Sequence, residues 1–216
     1  MYRLISGMRE FRENVFPTRQ AHFEGLASGQ QPSTLFITCS DSRIVPEMLT
    51  QTEPGELFVL RNAGNLVPPC TAPFSGEAAT VEYAVQALKV QDVIVCGHSH
   101  CGAIAGLLRP QLVKGLPAVE KWLEHAEHVR REIEDQHLAN DNGDDLLTTA
   151  IKANVLVQLN HLRTYSAVAE AEARGELRLH GCFYRFETGE VTVFNAPQQH
   201  FTSIEEYTHA EAALPS

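Results

Sequence analysis

Three short runs near the front of this chain constrain its fold more than any other feature. Leu35-Phe36-Ile37-Thr38, the ELFVLR segment at 56–61 and the DVIVC segment at 92–96 are too short for core helices and read as strands. The first is of the kind buried on both faces of a parallel sheet. The second strand ends at Asn62-Ala63-Gly64-Asn65, and GEAATVEYAVQALKV then sets Val81, Ala84, Val85 and Leu88 on one helical face. The third strand runs straight into GHSHCGAI, where a helix is expected to begin.

Downstream, residues 117–137 read as a charged amphipathic helix with Pro117 in its first turn and a stripe of Val119, Trp122, Ala126, Val129 and Ile133. Residues 140–145 form an acidic loop that caps a long helix running to about Arg174 and stopped by Gly175. Leu177–Phe186 and Val191–Phe194 are strand-like and joined by a hairpin turn at Glu187-Thr188-Gly189-Glu190. At the front, Leu4, Ile5, Met8, Phe11 and Val15 recur at helical spacing over 3–15, Pro17 is expected to end that helix, and a second covers 18–28 before Gly29. Strands alternating with helices imply an α/β fold: a central, mostly parallel β-sheet flanked by helices. The organisation read here is one domain over 1–216, with an N-terminal helical arm at 1–30 and a polar, acidic C-terminal extension at 196–216.

Composition narrows the function. A chain of 216 residues supports one full core rather than two. Its net charge of −10 argues against a nucleic-acid partner, which requires cations facing phosphates. No apolar run approaches the roughly 20 residues that cross a bilayer, so no membrane partner is expected. The first residues lack the continuous apolar stretch of a signal peptide, which sets the expectation of a cytoplasmic protein. Five cysteines, an odd number scattered along the chain, read as core residues or metal ligands rather than a disulfide framework.

Two motifs carry chemistry. Cys39-Ser40-Asp41-Ser42-Arg43 follows the first strand, and His98-Ser99-His100-Cys101-Gly102 follows the third. Ligands of open α/β sheets sit beyond the carboxyl ends of strands, where both motifs lie. Zinc takes thiolate and imidazole donors in a tetrahedron and accepts carboxylate. Cys39, His98 and Cys101 can supply three positions, with the fourth left to Asp41 or water; His100 is an alternative donor in the second motif. Arg43 suits a carboxylate at Asp41, because a guanidinium grips it with two parallel hydrogen bonds. Gly102 stands where backbone N–H groups at a helix start can approach an anionic oxygen.

Taken in order, Cys39-Ser-Asp-Ser-Arg43 and Gly97-His98-Ser-His-Cys101-Gly102 closely resemble the two signatures of β-class carbonic anhydrases. Gly29-Gln30-Gln31-Pro32 resembles the GQ-x-P of the plant-type subgroup. Pro54-Gly55-Glu56, the run from Arg61 to Pro69, Glu82-Tyr83-Ala84-Val85 and His180-Gly181-x-x-Tyr184 also fit the pattern, so the likeness spans about 29–195. The resemblance implies one Zn²⁺ per chain and reversible hydration of carbon dioxide to bicarbonate and a proton by attack of zinc-bound hydroxide. It makes Cys39, His98 and Cys101 the permanent ligands. Asp41 is then a conditional fourth ligand that swings to Arg43 when the site opens.

By the same resemblance Gln30 hydrogen-bonds substrate, and Phe58, Ala63 and Tyr83 line an apolar cleft at the interface of a homodimer, which can pair into a homotetramer. An inhibitory bicarbonate site found in some members uses Trp, Arg and Tyr. Here Arg61 and Tyr184 match, but Phe36 replaces the Trp and lacks its N–H donor. A constitutively open form is therefore expected. Two other readings compete: hydrolysis of carbonyl sulfide or carbon disulfide at the same site, and a structural zinc site closed by four protein ligands. A redox-thiol role is disfavoured, because no C-x-x-C occurs.

Overall fold

The computed structural model describes residues 1–135 and 145–212, in two compact units, Met1–Gln31 and Pro32–Ser216. In the first unit, α1 (Tyr2–Glu10) passes through a π-helical turn at Phe11–Val15 into α2 (Phe16–Leu26). Pro17 therefore does not end a helix as expected. It falls in the first turn of α2, where its missing N–H costs little, and the preceding wide turn absorbs the steric demand of its ring. Phe11, Phe16 and Phe23 pack ring against ring, with centroids 5.6 to 6.4 Å apart. Leu4, Ile5, Met8, Phe11 and Val15 lie exposed.

The second unit holds a six-stranded sheet. Its strands are β1 (Thr34–Cys39), β2 (Leu57–Asn62), β3 (Asp92–His98), β4 (Arg178–Arg185), β5 (Glu190–Asn195) and β6 (His200–Ser203), in the order β2-β1-β3-β4-β5-β6. The first four are mutually parallel, and β5 and β6 are added antiparallel. The short helices α3 (Pro46–Thr50) and α4 (Gly76–Glu82) precede β2 and β3. Between β3 and β4 come α5 (Gly102–Leu108), α6 (Pro117–Leu123), α7 (Glu127–Asp135), α8 (Leu146–Arg163) and α9 (Ser166–Ala173), and α10 (Ile204–Ala212) follows β6.

Alternation along each strand decides what is buried where. Leu35, Ile37, Val93 and Val95 face a core completed by Val81 and Val85, by Val155, Leu159 and Leu162 of α8, and by Val168 of α9. Phe36 and Cys96 point the other way, onto Ile44. Helix α8 lies close against the sheet at two glycines. A Cβ on Gly97 would stand 2.7 Å from Ile151 Cγ2, and one on Gly181 would stand 2.9 Å from Val155 Cγ1.

A second helix expectation needs correction. The helix read from 145 to 174 begins as expected, with the Asp145 carboxylate accepting the Thr148 N–H at 2.7 Å, but it breaks at Thr164–Tyr165. There Thr164 Oγ1 accepts the Cys70 N–H at 2.9 Å and the Tyr165 hydroxyl donates to the Pro68 carbonyl at 2.6 Å, so tertiary partners replace a helical turn. Within the extension read at 196–216, His200–Ser203 pairs with β5 as β6 and Ile204–Ala212 forms α10. The rest of the acidic loop expected at 140–145, and the end of the helix expected at 117–137, lie outside the described residues.

The strand order positions the site. From β1 the chain moves to one side to form β2, then returns to the other side for β3. The boundary between β1 and β3 is the point at which the winding reverses, and the crevice beyond it is where open α/β sheets bind ligands. Cys39 ends β1 and His98 ends β3.

Candidate metal centre

Cys39, His98 and Cys101 converge at that crevice, each offering a donor atom, and these donors all lie within 4.8 Å of one another. Their exposures are 6%, 0% and 1%, so the cluster sits inside the protein. His100 makes the convergence possible. It adopts φ of 54°, a left-handed conformation rare outside glycine, and folds the chain so that Cys101, the N-cap of α5, lies beside His98. His100 itself is more than half exposed and is absent from the cluster, which removes it as the alternative donor.

The donor set fits a metal. The His98 Nδ1–H donates to the Ser99 carbonyl at 2.8 Å, which fixes the tautomer and leaves Nε2 with a lone pair. Nε2 is buried without a hydrogen-bond partner. An orphaned buried nitrogen costs about 1–3 kcal/mol unless something accepts its lone pair. Two thiols and one imidazole, with a carboxylate at hand, match zinc.

One of the two thiols is also prepared for charge. Cys101 donates to Cys39, which favours the Cys39 thiolate and pushes the Cys101 thiol up, with burial adding to the latter. The Gly64 N–H donates to Cys39 Sγ at 3.4 Å. Gly64 holds φ of 83°, and a Cβ there would lie 3.0 Å from Ala103 Cβ, so only glycine brings this amide so close without strain.

Asp41 is occupied elsewhere. Its carboxylate accepts Arg43 Nε at 2.9 Å, Arg43 Nη2 at 2.7 Å and the Arg43 backbone N–H at 3.0 Å. These hydrogen bonds hold its carboxyl well below the usual carboxylate range. Asp41 Oδ2 stands 4.0 Å from His98 Nε2, beside the donor cluster but turned away from it. Arg61 donates to the carbonyls of Cys39, Asp41 and Ile44, and so staples the loop that carries the motif.

Of the other residues singled out from sequence, Phe58 and Tyr83 come together, with ring centroids 6.0 Å apart. The Ala63 carbonyl accepts Trp122 Nε1–H at 2.8 Å. Gly102 is the first residue of α5, with open space where a Cβ would be, and Gln30 belongs to the N-terminal unit. Sequence reasoning missed the supports. Asn154 and Gln158 of α8, both fully buried, hold the loop after β2: Asn154 Nδ2 donates to the Gly64 carbonyl at 3.0 Å, and Gln158 accepts the Val67 N–H at 2.8 Å. Two amides one turn apart inside an apolar helix were the available signal. Phe186 and Glu187, at the β4–β5 corner, also touch the site, and no local pattern marks them.

A family model described as carbonic anhydrase matches residues 34–191, which include both motifs. The chain belongs to the β-carbonic anhydrase family. A carbonic anhydrase of Synechocystis is 46% identical over 213 residues, covering 95% of this chain and 77% of that relative. Among solved structures, the β-carbonic anhydrase CcaA superposes with a TM-score of 0.89 at 48% identity, covering 94% of this chain and 91% of that one. A structure from a study of two tetrameric β-carbonic anhydrases of the ascomycete Sordaria macrospora superposes at 0.80 with 29% identity, covering 94% and 98%. The chain is thus an enzyme of this family, whose general reaction is CO₂ hydration, and the donor cluster lies within the matched region.

Proposed function

We propose that this chain reversibly hydrates CO₂ to bicarbonate and a proton with one Zn²⁺ per chain, held by Cys39, His98 and Cys101. The observation that carries the proposal is the buried, unpartnered Nε2 of His98 facing two cysteines, while Asp41 is drawn off by Arg43. Bound zinc supplies the Lewis acidity that makes water nucleophilic near neutral pH.

The chain's own residues do the rest. The Ser99 carbonyl keeps the His98 proton on Nδ1, and the Gly64 N–H supports negative charge on Cys39 Sγ. Arg43 holds Asp41 ionised and two-pronged, so that the carboxylate can leave the fourth position to solvent; when Arg43 releases it, Asp41 closes the site. A purely structural centre has no use for a second partner for one ligand, and this favours the catalytic reading over the structural one. We assign substrate contacts to Gln30, Phe58, Ala63, Tyr83 and Gly102 by family resemblance. The aromatic pair Phe58–Tyr83, with Tyr83 half exposed, supports an apolar cleft completed by a second copy. The exposed apolar residues of α1 and the ring of Phe74, wholly exposed, support burial in a homodimer or homotetramer, the Sordaria relatives being tetrameric.

Stopped-flow CO₂ hydration with zinc quantified per chain tests the proposal. Wild type is expected to hold one zinc and turn over, and Cys101→Ala to lose both metal and activity. Metal-replete wild type that fails to hydrate CO₂ at pH 8.5 refutes it.

A further inference from the structure

The back of Arg43 is covered by a ring. The guanidinium carbon lies 4.4 Å from the centroid of Phe186, over its face, while the edge of the same group forks onto Asp41 and Nη2 reaches the His100 carbonyl at 3.2 Å. Arg43 is 47% exposed along its side chain, so a fork on one edge alone would leave it free to swing into solvent. The ring restrains that motion, because a cation seated over a π face is attracted to it.

Phe186 is itself fixed by the motif it serves. Its backbone N–H donates to Ser99 Oγ at 3.2 Å, Ser99 Oγ–H donates to Glu187 Oε2 at 2.5 Å, and the Ser99 N–H donates to the Tyr184 carbonyl at 2.9 Å. Ser99 is 2% exposed and lies between His98 and His100. One buried hydroxyl thus sets both the segment that carries His98 and the corner that carries the ring.

We propose that Phe186 is a positioning residue: by stacking on Arg43 it keeps the guanidinium fork on Asp41 and so holds the carboxylate away from the metal position. This rests on the reading of Asp41 and Arg43 as a gate. Loss of the π face removes the stacking while leaving the fork's donors intact, so the gate drifts toward closure rather than failing outright. The ring also lies against His98 and His100, with centroids 6.2 and 5.6 Å away, and only its hold on the gate depends on Arg43.

The test uses the full-length protein with Phe186→Leu, Phe186→Met, Phe186→Tyr, Arg43→Gln and the double variant Phe186→Leu/Arg43→Gln. Each is measured zinc-loaded for kcat/KM of CO₂ hydration and cobalt-substituted for its d–d absorption spectrum. Phe186→Leu and Phe186→Met are expected to lower kcat/KM about 2- to 5-fold, the range a partly exposed cation–π contact supports. Their cobalt spectra should move part-way toward that of Arg43→Gln. Phe186→Tyr, which keeps a π face, should restore both, and Phe186→Leu should add nothing in the Arg43→Gln background. Wild-type kinetics and spectra in Phe186→Leu and Phe186→Met, or a further loss on combining the changes, overturn the positioning role alone. An Arg43→Gln protein with wild-type activity and spectrum overturns the gate, and the positioning role with it.

Discussion

Gly97 links the packing of α8 to the metal centre, and a single methyl tests the link. In Gly97→Ala the new Cβ would lie 2.7 Å from Ile151 Cγ2 and 3.0 Å from Val155 Cγ2, one turn further along the helix. Neither neighbour can turn aside cheaply. β-Branched side chains in helices keep one favoured χ1 rotamer, and leaving it costs about 0.5–1.5 kcal/mol each. If the rotamers hold, α8 must lift from the sheet and loosen the packing of Val155 and Leu159. Either route leads to about 1–3 kcal/mol, the usual cost of overpacking a core. At about 1.4 kcal/mol per decade this is a roughly 5- to 150-fold rise in the unfolded fraction.

Urea denaturation of the zinc-loaded protein at fixed chain concentration reads it as a fall in midpoint at unchanged slope. Gly76→Ala is the control, since no atom lies within 4 Å of a Cβ at that position. Adding Ile151→Ala to Gly97→Ala should cost less than the two single changes summed, because it vacates the space that the new methyl needs. A Gly97→Ala protein as stable as wild type, or strict additivity with Ile151→Ala, refutes the close approach of α8 to β3.

Three further outcomes are expected. Two thiolates offset the charge of a zinc dication and weaken it as a Lewis acid, so kcat should climb from pH 6 to pH 9; a flat stopped-flow profile over that range contradicts an S₂N donor set. Asn154→Ala takes the side-chain donor from the buried Gly64 carbonyl and the acceptor from the Gln158 Nε2–H, so it should cost about 1–3 kcal/mol in denaturation and speed zinc loss to a chelator; unchanged metal retention would separate the loop after β2 from the centre. Asp145→Ala removes the α8 cap, at about 0.5–2 kcal/mol. The Thr148 N–H lowers the Asp145 carboxyl, so its share of stability is complete above the unfolded value of about 3.9 and lost as pH falls through the folded one. Denaturation series on wild type and Asp145→Ala should therefore converge in acid, and a gap that persists there contradicts the charged cap.

Much of this protein was legible in its order of residues. The apolar runs at 35–38, 56–61 and 92–96 became β1, β2 and β3 to within a residue or two, because side-chain period and strand length are local properties. Donor spacing is local as well: His98 and Cys101 need only one tight turn, and Asp41 reaches Arg43 across two residues. Tertiary structure alone decided what is not local. It set β1 beside β3 and so joined two half-sites that the chain keeps far apart. It broke the helix at Tyr165 to satisfy Pro68, paired His200–Ser203 with β5 as β6, and laid Phe186 on Arg43. The physical reason is one of range. Backbone conformation answers to neighbours a few residues away, whereas strand order and side-chain partnership answer to which surfaces can be buried together, and that is settled only when the whole chain has folded.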